Sequence, residues 1–171
     1  MPFKYLDNYK FIPFSHRGGA IENDENTIEA FKKANSTINI IVVLPHEQLD
    51  TWKDLCYQHD FSIRHSTVIG GKERFYSVLN GLNSIEKETG TVAIHDGVRP
   101  FVSGAAINNS FQTAEKKQSA VLSIPLKDSI RSISQGNSKA ESRDNFRLVQ
   151  TPQTFDLKSL KKAYKAAYRD N

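Results

Sequence analysis

The residues best suited to chemistry in this sequence are glycines, arginines and one aspartate placed where predicted strands end. Gly70 and Gly71 follow a short apolar segment, and Arg74 and Ser77 come about one helical turn later. Backbone N–H groups and the dipole at the start of a helix favour a phosphate at such a position. Two glycines between a strand and a helix are also a common packing turn, so this motif alone leaves both interpretations open.

A second loop carries a carboxylate. Asp96 and Gly97 follow the apolar segment 91–94, and Arg99 stands three positions after Asp96. A carboxylate at the edge of a sheet is a natural ligand for Mg²⁺, which takes one or two carboxylates together with waters and substrate phosphates. The alternative is an Asp-Gly turn beside a surface arginine, since Asp-Gly pairs are frequent in turns.

Alternating strand-like and helix-like segments must position these two loops. Strands are predicted at 11–15, 38–44, 66–69, 91–94 and 120–124, the last as a buried strand. Helical stripes are formed by Ile28, Phe31 and Ala34, by Leu49, Trp52 and Cys56, by Val78, Leu82 and Ile85, and by Ala106, Ile107 and Phe111, the last with Ser103 as its cap. This order predicts an α/β fold with a doubly wound, mostly parallel sheet of the nucleotidyltransferase-like Rossmann type. In such sheets ligands collect at the carboxyl ends of strands, where both loops lie.

Residues 127–150 depart from this alternation. Two short alternating segments, 129–134 and 145–149, flank a polar turn at 135–138 and predict a protruding β-arm. Because these segments offer little apolar area for a core of their own, we expect the arm to join two copies of the chain in a homodimer. We expect one domain over residues 1–171, with an atypical N-terminal segment at 1–34, because the chain is too short for two comfortable cores.

The net charge of +4 raises the question of nucleic-acid binding. Much of the positive charge lies in a C-terminal helical segment, on Lys158, Lys161, Lys162, Lys165 and Arg169. These residues are predicted to lie opposite a core-facing stripe formed by Leu160, Ala163, Tyr164 and Ala167. We interpret the basic face as solvated and expect no nucleic-acid partner, because no base-reading motif accompanies it.

The apolar segments and the cysteine content of the sequence are typical of a cytoplasmic protein. No window approaches the apolar length of a membrane span, and residues 1–9 lack the continuous apolar run of a secretory signal, so we expect neither a membrane partner nor export. Because Cys56 is the single cysteine of the sequence, no intramolecular disulfide can form, and we expect its side chain to be buried.

Four motifs follow one another in a distinctive order. They are Ile41-Val42-Val43-Leu44-Pro45, Gly70-Gly71-Lys72-Glu73-Arg74 with Ser77, His95-Asp96-Gly97-Val98-Arg99-Pro100, and Val149-Gln150-Thr151-Pro152-Gln153 with Phe155. From about residue 27 to the C-terminus, the sequence closely resembles the 2-C-methyl-D-erythritol 4-phosphate cytidylyltransferase family. The resemblance implies transfer of CMP from CTP to a sugar-alcohol phosphate in non-mevalonate isoprenoid biosynthesis, with Mg²⁺ as cofactor and a homodimer joined through residues 127–150.

The resemblance also implies roles for individual residues. It places Gly70, Gly71, Arg74, Ser77, Asp96 and Gly97 at the nucleotide, Asp96 at the metal, and Arg99, Ser129, Arg143 and Thr151 at the second substrate. Asp96 and Arg143 are the implied catalytic residues. A guanidinium such as that of Arg143 can hold a phosphate through two hydrogen bonds and orient its oxygen for in-line attack. Ser142 departs from the family pattern, which usually has an aspartate before this arginine.

Two parts of the family pattern have no counterpart. The family's glycine-rich loop, with an arginine and a later Pro-Lys-Gln segment, is missing, and its last strand-and-helix section would lie beyond Asn171. The missing cations stabilise charge on the transferring phosphoryl group, so we expect impaired turnover. A non-catalytic α/β dimer that binds nucleotide weakly is therefore an open alternative.

The first thirty or so residues resemble a different family. Phe14-Ser15-His16-Arg17-Gly18-Gly19-Ala20 and Glu25-Asn26-Thr27-Ile28-Glu29-Ala30-Phe31 are similar to the opening of a glycerophosphodiester phosphodiesterase. That resemblance implies a metal and phosphate site at His16, Arg17, Glu25 and Asn26. The Glu-x-Asp ligands expected after the next strand are replaced by Val42-Val43-Leu44-Pro45. A phosphodiesterase is the second functional alternative, and the two resemblances meet near residues 27–31.

Overall fold

The structure is a computed structural model that describes residues 10–15 and 27–169 of the chain. In these ranges strands and helices alternate as far as the fifth strand. The elements are β1 (Lys10–Ser15), α1 (Thr27–Ala34), β2 (Asn39–Leu44), α2 (Leu49–Gln58), β3 (Ser66–Ile69), α3 (Arg74–Asn83), β4 (Thr91–Asp96), α4 (Gly104–Lys117), β5 (Ser119–Pro125), β6 (Ile130–Ser134), β7 (Asn137–Glu141), β8 (Arg147–Asp156) and α5 (Leu157–Arg169).

Six strands form the main sheet in the order β3-β2-β1-β4-β8-β5. The strands β1 to β4 are mutually parallel, whereas β8 runs antiparallel to both of its neighbours. The chain moves outward from β1 to β3 and then places β4 on the other side of β1. This reversal of strand order marks the point where open α/β sheets bind ligands. The predicted doubly wound, mostly parallel sheet is confirmed.

The carboxyl ends of the parallel strands meet at one rim of the sheet. Ile69 lies opposite Leu44, and Ser15 lies opposite both Val43 and Asp96. The glycine turn after β3 and the aspartate at the end of β4 therefore leave the sheet on the same side.

The core has two layers, one on each face of the sheet. Ile40, Val42 and Leu44 of β2 pack against α1, α2 and α4, while Ile41 and Val43 pack against α3 and α5. All five of these side chains are buried, which confirms that β2 is covered on both faces. The predicted cap of α4 is also present, since the Ser103 hydroxyl accepts a hydrogen bond from the Ala106 N–H at 3.2 Å.

The structure corrects the prediction that residues 120–124 form a buried strand. This segment belongs to β5, which lies at the edge of the sheet, and Val121 and Ile124 remain 45% and 49% exposed. An apolar run closed by proline has the same appearance in an edge strand, because periodicity alone does not show whether a further strand covers it.

The pairing within residues 127–150 also differs from the prediction. The partner of β6 is the polar strand β7, and residues 147–149 instead begin β8 of the main sheet. Gln135 and Gly136 have φ angles of 47° and 80°, so a two-residue turn joins β6 directly to β7. β7 has the sequence Asn-Ser-Lys-Ala-Glu, which lacks the apolar alternation by which strands are recognised.

The predicted solvated face of α5 needs one correction. The Lys161 ammonium donates hydrogen bonds to the carbonyl oxygens of Ile85 at 2.6 Å and Lys87 at 3.0 Å, and its side chain is only 12% exposed. Leu160 faces the core as expected, whereas Ala163 and Ala167 are exposed. Lys161 thus links α5 to the segment that follows α3, a role that the pattern of charges along the helix did not indicate.

Two smaller points concern Cys56 and the length of the helices. Cys56 is only half-buried, and this burial raises the pKa of its thiol. In the ranges that the structure describes, none of the helices combines the length and the apolar character of a membrane-crossing segment.

Candidate functional site

Asp96 lies at the rim between two arginines. Its Oδ1 accepts a hydrogen bond from Arg74 Nε at 3.2 Å, and its Oδ2 accepts one from Arg99 Nε at 3.3 Å. Arg74 begins α3, and Arg99 lies in the loop that follows β4. The aspartate side chain is 24% exposed and the arginine side chains are 46% and 44% exposed, so an anion from solvent can reach all three.

The antiparallel strand β8 supports this cluster from its other side. The Thr151 hydroxyl accepts a hydrogen bond from the Asp96 N–H at 3.3 Å, and the Gln150 side-chain oxygen accepts one from Arg99 Nη1 at 2.6 Å. Sequence reasoning missed the role of Gln150 because the alternation at 145–149 indicates a separate arm. The Gln-Thr-Pro-Gln motif was the available signal, but only the pairing of β8 with β4 shows which residues it contacts.

His95 stabilises the conformation of the loop that carries Asp96 and Arg99. Its Nε2 donates to the Arg99 carbonyl oxygen at 3.0 Å, and the Arg99 N–H donates to the Asp96 carbonyl oxygen at 3.0 Å. The Phe31 ring packs edge-on against the imidazole with centroids 5.3 Å apart. Burial lowers the pKa of His95 to about 4, partly opposed by its hydrogen bond to Arg99, so the ring is neutral at pH 7.

The glycine turn differs from the expected phosphate cradle. The Gly70 N–H donates to the Leu44 carbonyl oxygen at 2.8 Å, and the Gly71 N–H donates to the Ser77 hydroxyl at 3.1 Å. Both N–H groups, which the sequence left open to either a phosphate or a packing turn, are thus bonded inside the protein. A Cβ added at Gly71 would lie 2.2 Å from the Tyr76 Cβ, so this glycine is required by close packing. The positive charge beside this glycine turn belongs to Arg74, the first residue of α3, whose guanidinium contacts Asp96.

Two of the four residues expected at the second substrate, Arg143 and Ser129, lie beside the β6–β7 hairpin. Arg143 Nη1 donates to the Lys127 carbonyl oxygen at 2.7 Å at the base of the β6–β7 hairpin, and Ser129 is exposed on the same segment. Within β8, Arg147 and Thr151 are roughly 13 Å apart at the rise of an extended strand, and Thr151 is the one that lies beside Asp96. The structure therefore assigns Arg143 to the hairpin base, whereas Asp96, Arg99 and Thr151 form one cluster.

A cleft opens beside Arg99 on the side facing β5. Its volume is about 480 Å³, and its lining includes Arg99, Phe101, Leu122, Ile124, Gln150 and Thr151. The wall is mostly apolar, and Arg99, Gln150 and Thr151 of the aspartate cluster contribute polar groups to it. This combination suits a small ligand whose charged end meets Arg99.

The capacity of the rim for a metal rests on Asp96. Within residues 10–15 and 27–169, no three His, Cys, Asp or Glu side chains are grouped as a protein-only metal site would require. A single carboxylate with two guanidiniums beside it fits Mg²⁺, which usually takes one or two carboxylates and fills its other positions with water and phosphate oxygens.

The residues of the second resemblance lie outside the described ranges. His16, Arg17, Glu25 and Asn26 all fall within residues 16–26, so the phosphodiesterase site stays a prediction.

Comparison with known proteins gives one consistent family. The family model of 2-C-methyl-D-erythritol 4-phosphate cytidylyltransferase matches residues 23–171. A protein of that name from Azobacteroides pseudotrichonymphae is 46% identical over 146 residues, which cover 85% of this chain and 65% of the relative. Another from Phocaeicola vulgatus is 43% identical, with 84% and 65% covered. The chain thus spans about 65% of the length of these curated relatives.

Solved structures agree with this comparison. 4-Diphosphocytidyl-2C-methyl-D-erythritol synthase from Anaerococcus prevotii superposes with a TM-score of 0.82 at 22% identity, covering 95% of this chain and 77% of that one. 2-C-methyl-D-erythritol 4-phosphate cytidylyltransferase from Thermus thermophilus superposes with a TM-score of 0.69 at 25% identity, covering 94% and 76%. The fold of the described residues is that of these structures.

Proposed function

The chain belongs to the 2-C-methyl-D-erythritol 4-phosphate cytidylyltransferase family, and we propose that it binds CTP at the rim around Asp96 and transfers CMP to 2-C-methyl-D-erythritol 4-phosphate. In this reaction a phosphate oxygen of the acceptor bonds to the α-phosphorus of CTP, and the bond to the leaving pyrophosphate breaks. Such transfers depend mainly on positioning and on electrostatic stabilisation of the phosphates.

The observation that carries this proposal is the placement of Asp96 between Arg74 and Arg99. A carboxylate suited to a divalent cation and two guanidiniums suited to phosphate oxygens meet at one rim. When a triphosphate enters, each guanidinium exchanges a carboxylate oxygen for a phosphate oxygen, since both anions match its planar set of donors.

Asp96 is the residue that would hold Mg²⁺, with phosphate oxygens completing the coordination. The bound cation would neutralise part of the triphosphate charge. Thr151 keeps the aspartate in place by accepting the hydrogen bond from its backbone N–H.

The acceptor phosphate is proposed to bind through Arg99, Thr151, Arg143 and Ser129. The cleft beside Arg99 has room for a sugar-alcohol phosphate with its charged end at the rim. Arg143 bonds to the Lys127 carbonyl oxygen at the hairpin base, whereas Asp96 pairs with Arg74 and Arg99. A homodimer joined through residues 127–150 would supply a second hairpin base, and the exposed apolar side chains of Ile133 and Val149, 71% and 56% exposed, support such an interface.

Turnover by this chain is proposed to be low. The sequence contains no Pro-Lys-Gln segment, whose lysine stabilises the transferring group in the family. Losing one preorganised donor at a transition state typically costs a factor of about 10²–10³ in rate.

Pyrophosphate release from CTP and 2-C-methyl-D-erythritol 4-phosphate with Mg²⁺ tests the proposal. We expect slow release that disappears in Asp96→Asn and persists in Asp50→Asn, whose carboxylate is exposed on α2 and paired with Lys53. If CTP raises the thermal midpoint without any pyrophosphate release, the chain is a nucleotide-binding protein and no catalyst. If neither effect appears, the proposed function is rejected.

A further inference from the structure

Gln150 contributes a neutral hydrogen-bond acceptor to the rim beside Asp96. Its Oε1 accepts a hydrogen bond from Arg99 Nη1 at 2.6 Å, while Asp96 Oδ2 accepts one from Arg99 Nε at 3.3 Å. Two of the three nitrogens of this guanidinium are therefore bonded to different side chains. Because the guanidinium is planar and rigid, these two bonds together fix its orientation.

The same bond fixes the orientation of the Gln150 amide. A guanidinium has only N–H donors, so the glutamine must present its oxygen to Arg99 and turn its NH₂ group away. Among the residues that the structure describes, none bonds to Arg99 Nη2 or to Gln150 Nε2. The paired side chains thus retain two unused donor groups.

Both of these side chains line the cleft of about 480 Å³ that opens beside β5. Phe101, Leu122 and Ile124 give its wall an apolar character, so Arg99 and Gln150 provide hydrogen-bond donors at the end nearest Asp96. The hydroxyl and phosphate oxygens of a sugar-alcohol phosphate accept such bonds. A ligand of this class therefore finds its donors on Arg99 and Gln150 together.

The neutrality of Gln150 preserves the positive charge of the rim. Two guanidiniums, of Arg74 and Arg99, and one carboxylate, of Asp96, leave the cluster a net charge of +1. A carboxylate in place of the Gln150 amide would bond to Arg99 at least as strongly, since both groups would be charged, but it would cancel this net charge. The amide orients the arginine without reducing its attraction for an anion.

From this arrangement we propose that Gln150 positions Arg99 for the acceptor, 2-C-methyl-D-erythritol 4-phosphate, and itself binds the acceptor through its NH₂ group. The inference rests on the proposed function and deepens it. Gln150 Oε1 holds the guanidinium in place, Arg99 Nη2 donates to an oxygen of the acceptor, and Gln150 Nε2 donates to a second one.

Dissociation constants for the acceptor and for CTP, measured by calorimetry on the full chain, test this proposal. Gln150→Glu keeps an oxygen for Arg99 but loses the NH₂ donor and cancels the net charge. We expect it to weaken acceptor binding by at least about tenfold, whereas its thermal midpoint should equal or exceed that of wild type. A merely structural role of Gln150 predicts acceptor binding as tight as in wild type.

Two further variants separate the hydrogen bonds from the charge. Gln150→Met keeps the net charge but removes both amide groups, so acceptor binding should weaken by about fivefold and CTP binding by less than about twofold, because Arg74 and Asp96 remain in place. Gln112→Glu adds the same charge at an exposed position of α4 and is the matched control. It should change neither constant by more than about twofold.

The outcomes distinguish this inference from the proposed function. If Gln150→Glu binds the acceptor as wild type does, or if Gln112→Glu causes an equal loss, the Gln150 assignment is overturned, whether or not pyrophosphate is released. If both Gln150 variants lose acceptor affinity but wild type releases no pyrophosphate from CTP, the assignment stands and the transfer reaction fails. If wild type does not bind the acceptor, both are rejected.

Discussion

Arg74 and Asp96, 22 residues apart in the chain, meet with Nε and Oδ1 at 3.2 Å and join the glycine turn to the end of β4. β3 and β4 are separated by two other strands of the sheet, so the two loops cannot touch through their backbones. The Arg74 side chain spans the gap between the two loops, because it extends from the first residue of α3 at the same rim. The side chains of the two motifs therefore meet at one rim of the sheet.

Replacing Arg74 by methionine should affect binding far more than folding. Exposed ion pairs stabilise proteins by about 0–1 kcal/mol, so the free energy of unfolding should fall by less than about 1 kcal/mol. The dissociation constant for CTP should rise by about tenfold, because a charged hydrogen bond to phosphate is lost. Urea unfolding and calorimetry measure the two effects. A large loss of stability together with unchanged CTP affinity would show that the arginine is structural.

Gly71→Ala should destabilise the fold through a steric clash. The new Cβ would lie 2.2 Å from the Tyr76 Cβ, and overpacking of this kind costs about 1–3 kcal/mol. Gly136→Ala is the matched control, because its φ of +80° strains an alanine by about 1–2 kcal/mol but no atom lies within 4 Å of the new Cβ. Only Gly71→Ala should also weaken CTP binding, as measured by calorimetry. Equal effects of the two variants on CTP affinity would contradict the proposed place of Gly71 at the nucleotide.

Protonation of His95 should make stability depend on pH. The folded-state pKa is about 4 and the ordinary value is 6.5, so below pH 6.5 the unfolded chain binds a proton that the folded chain does not. The contribution to stability is fully present above pH 6.5 and is lost as the pH falls toward 4, by about 3 kcal/mol in total.

Urea unfolding of wild type and His95→Gln between pH 4 and 7.5 measures this effect. Glutamine retains an N–H donor for the Arg99 carbonyl but does not titrate, so the stability difference between the two proteins should shrink as the pH falls. A difference that stays constant over this range would refute the assignment.

Lys161→Met should destabilise the chain although it removes a residue from a basic helix face. The substitution deprives the Ile85 and Lys87 carbonyl oxygens of their ammonium donor, a loss of about 1–3 kcal/mol. Lys162→Met, at the exposed neighbouring position, should stay within about 0.5 kcal/mol of wild type. Chemical denaturation of both variants at one pH measures the two free energies of unfolding. Equal stability of the variants would show that the bonds from Lys161 to these carbonyl oxygens do not stabilise the fold.

The parallel half of the fold could be predicted because its strands are rich in apolar and β-branched residues. The segment at 38–44, which is buried on both faces, forms β2, and the segment at 66–69 forms the edge strand β3, almost residue for residue. Since parallel strands end at one rim, this pattern also indicated that Gly71 and Asp96 would lie on the same side.

The antiparallel half could not be predicted in the same way. β7 is polar throughout, and β8 combines a proline and several polar residues with few apolar ones. Their pairing depends on the short turn at Gln135 and on contacts with β4 and β5, which are properties of the folded chain. The contact between Gln150 and Arg99 follows from that pairing and therefore escaped detection in the sequence.

The internal hydrogen bonding of the glycine turn was equally hidden. Gly70 and Gly71 have the spacing of a phosphate-binding turn, but whether their N–H groups face a ligand depends on the Leu44 carbonyl and the Ser77 hydroxyl. Hydroxyl side chains often bond to nearby backbone groups in this way. The sequence located the turn correctly but could not show which groups its N–H donors contact.

A CTP titration of wild type and Asp96→Asn, with and without Mg²⁺, tests the central claim most directly. Magnesium should strengthen CTP binding to wild type and should have no effect on the variant, whose amide is a poor ligand for this cation. Thermal unfolding of both proteins without ligand would confirm that the variant is folded. Equal binding of CTP by both proteins regardless of Mg²⁺, or no binding by wild type, would contradict a nucleotide and metal site at Asp96.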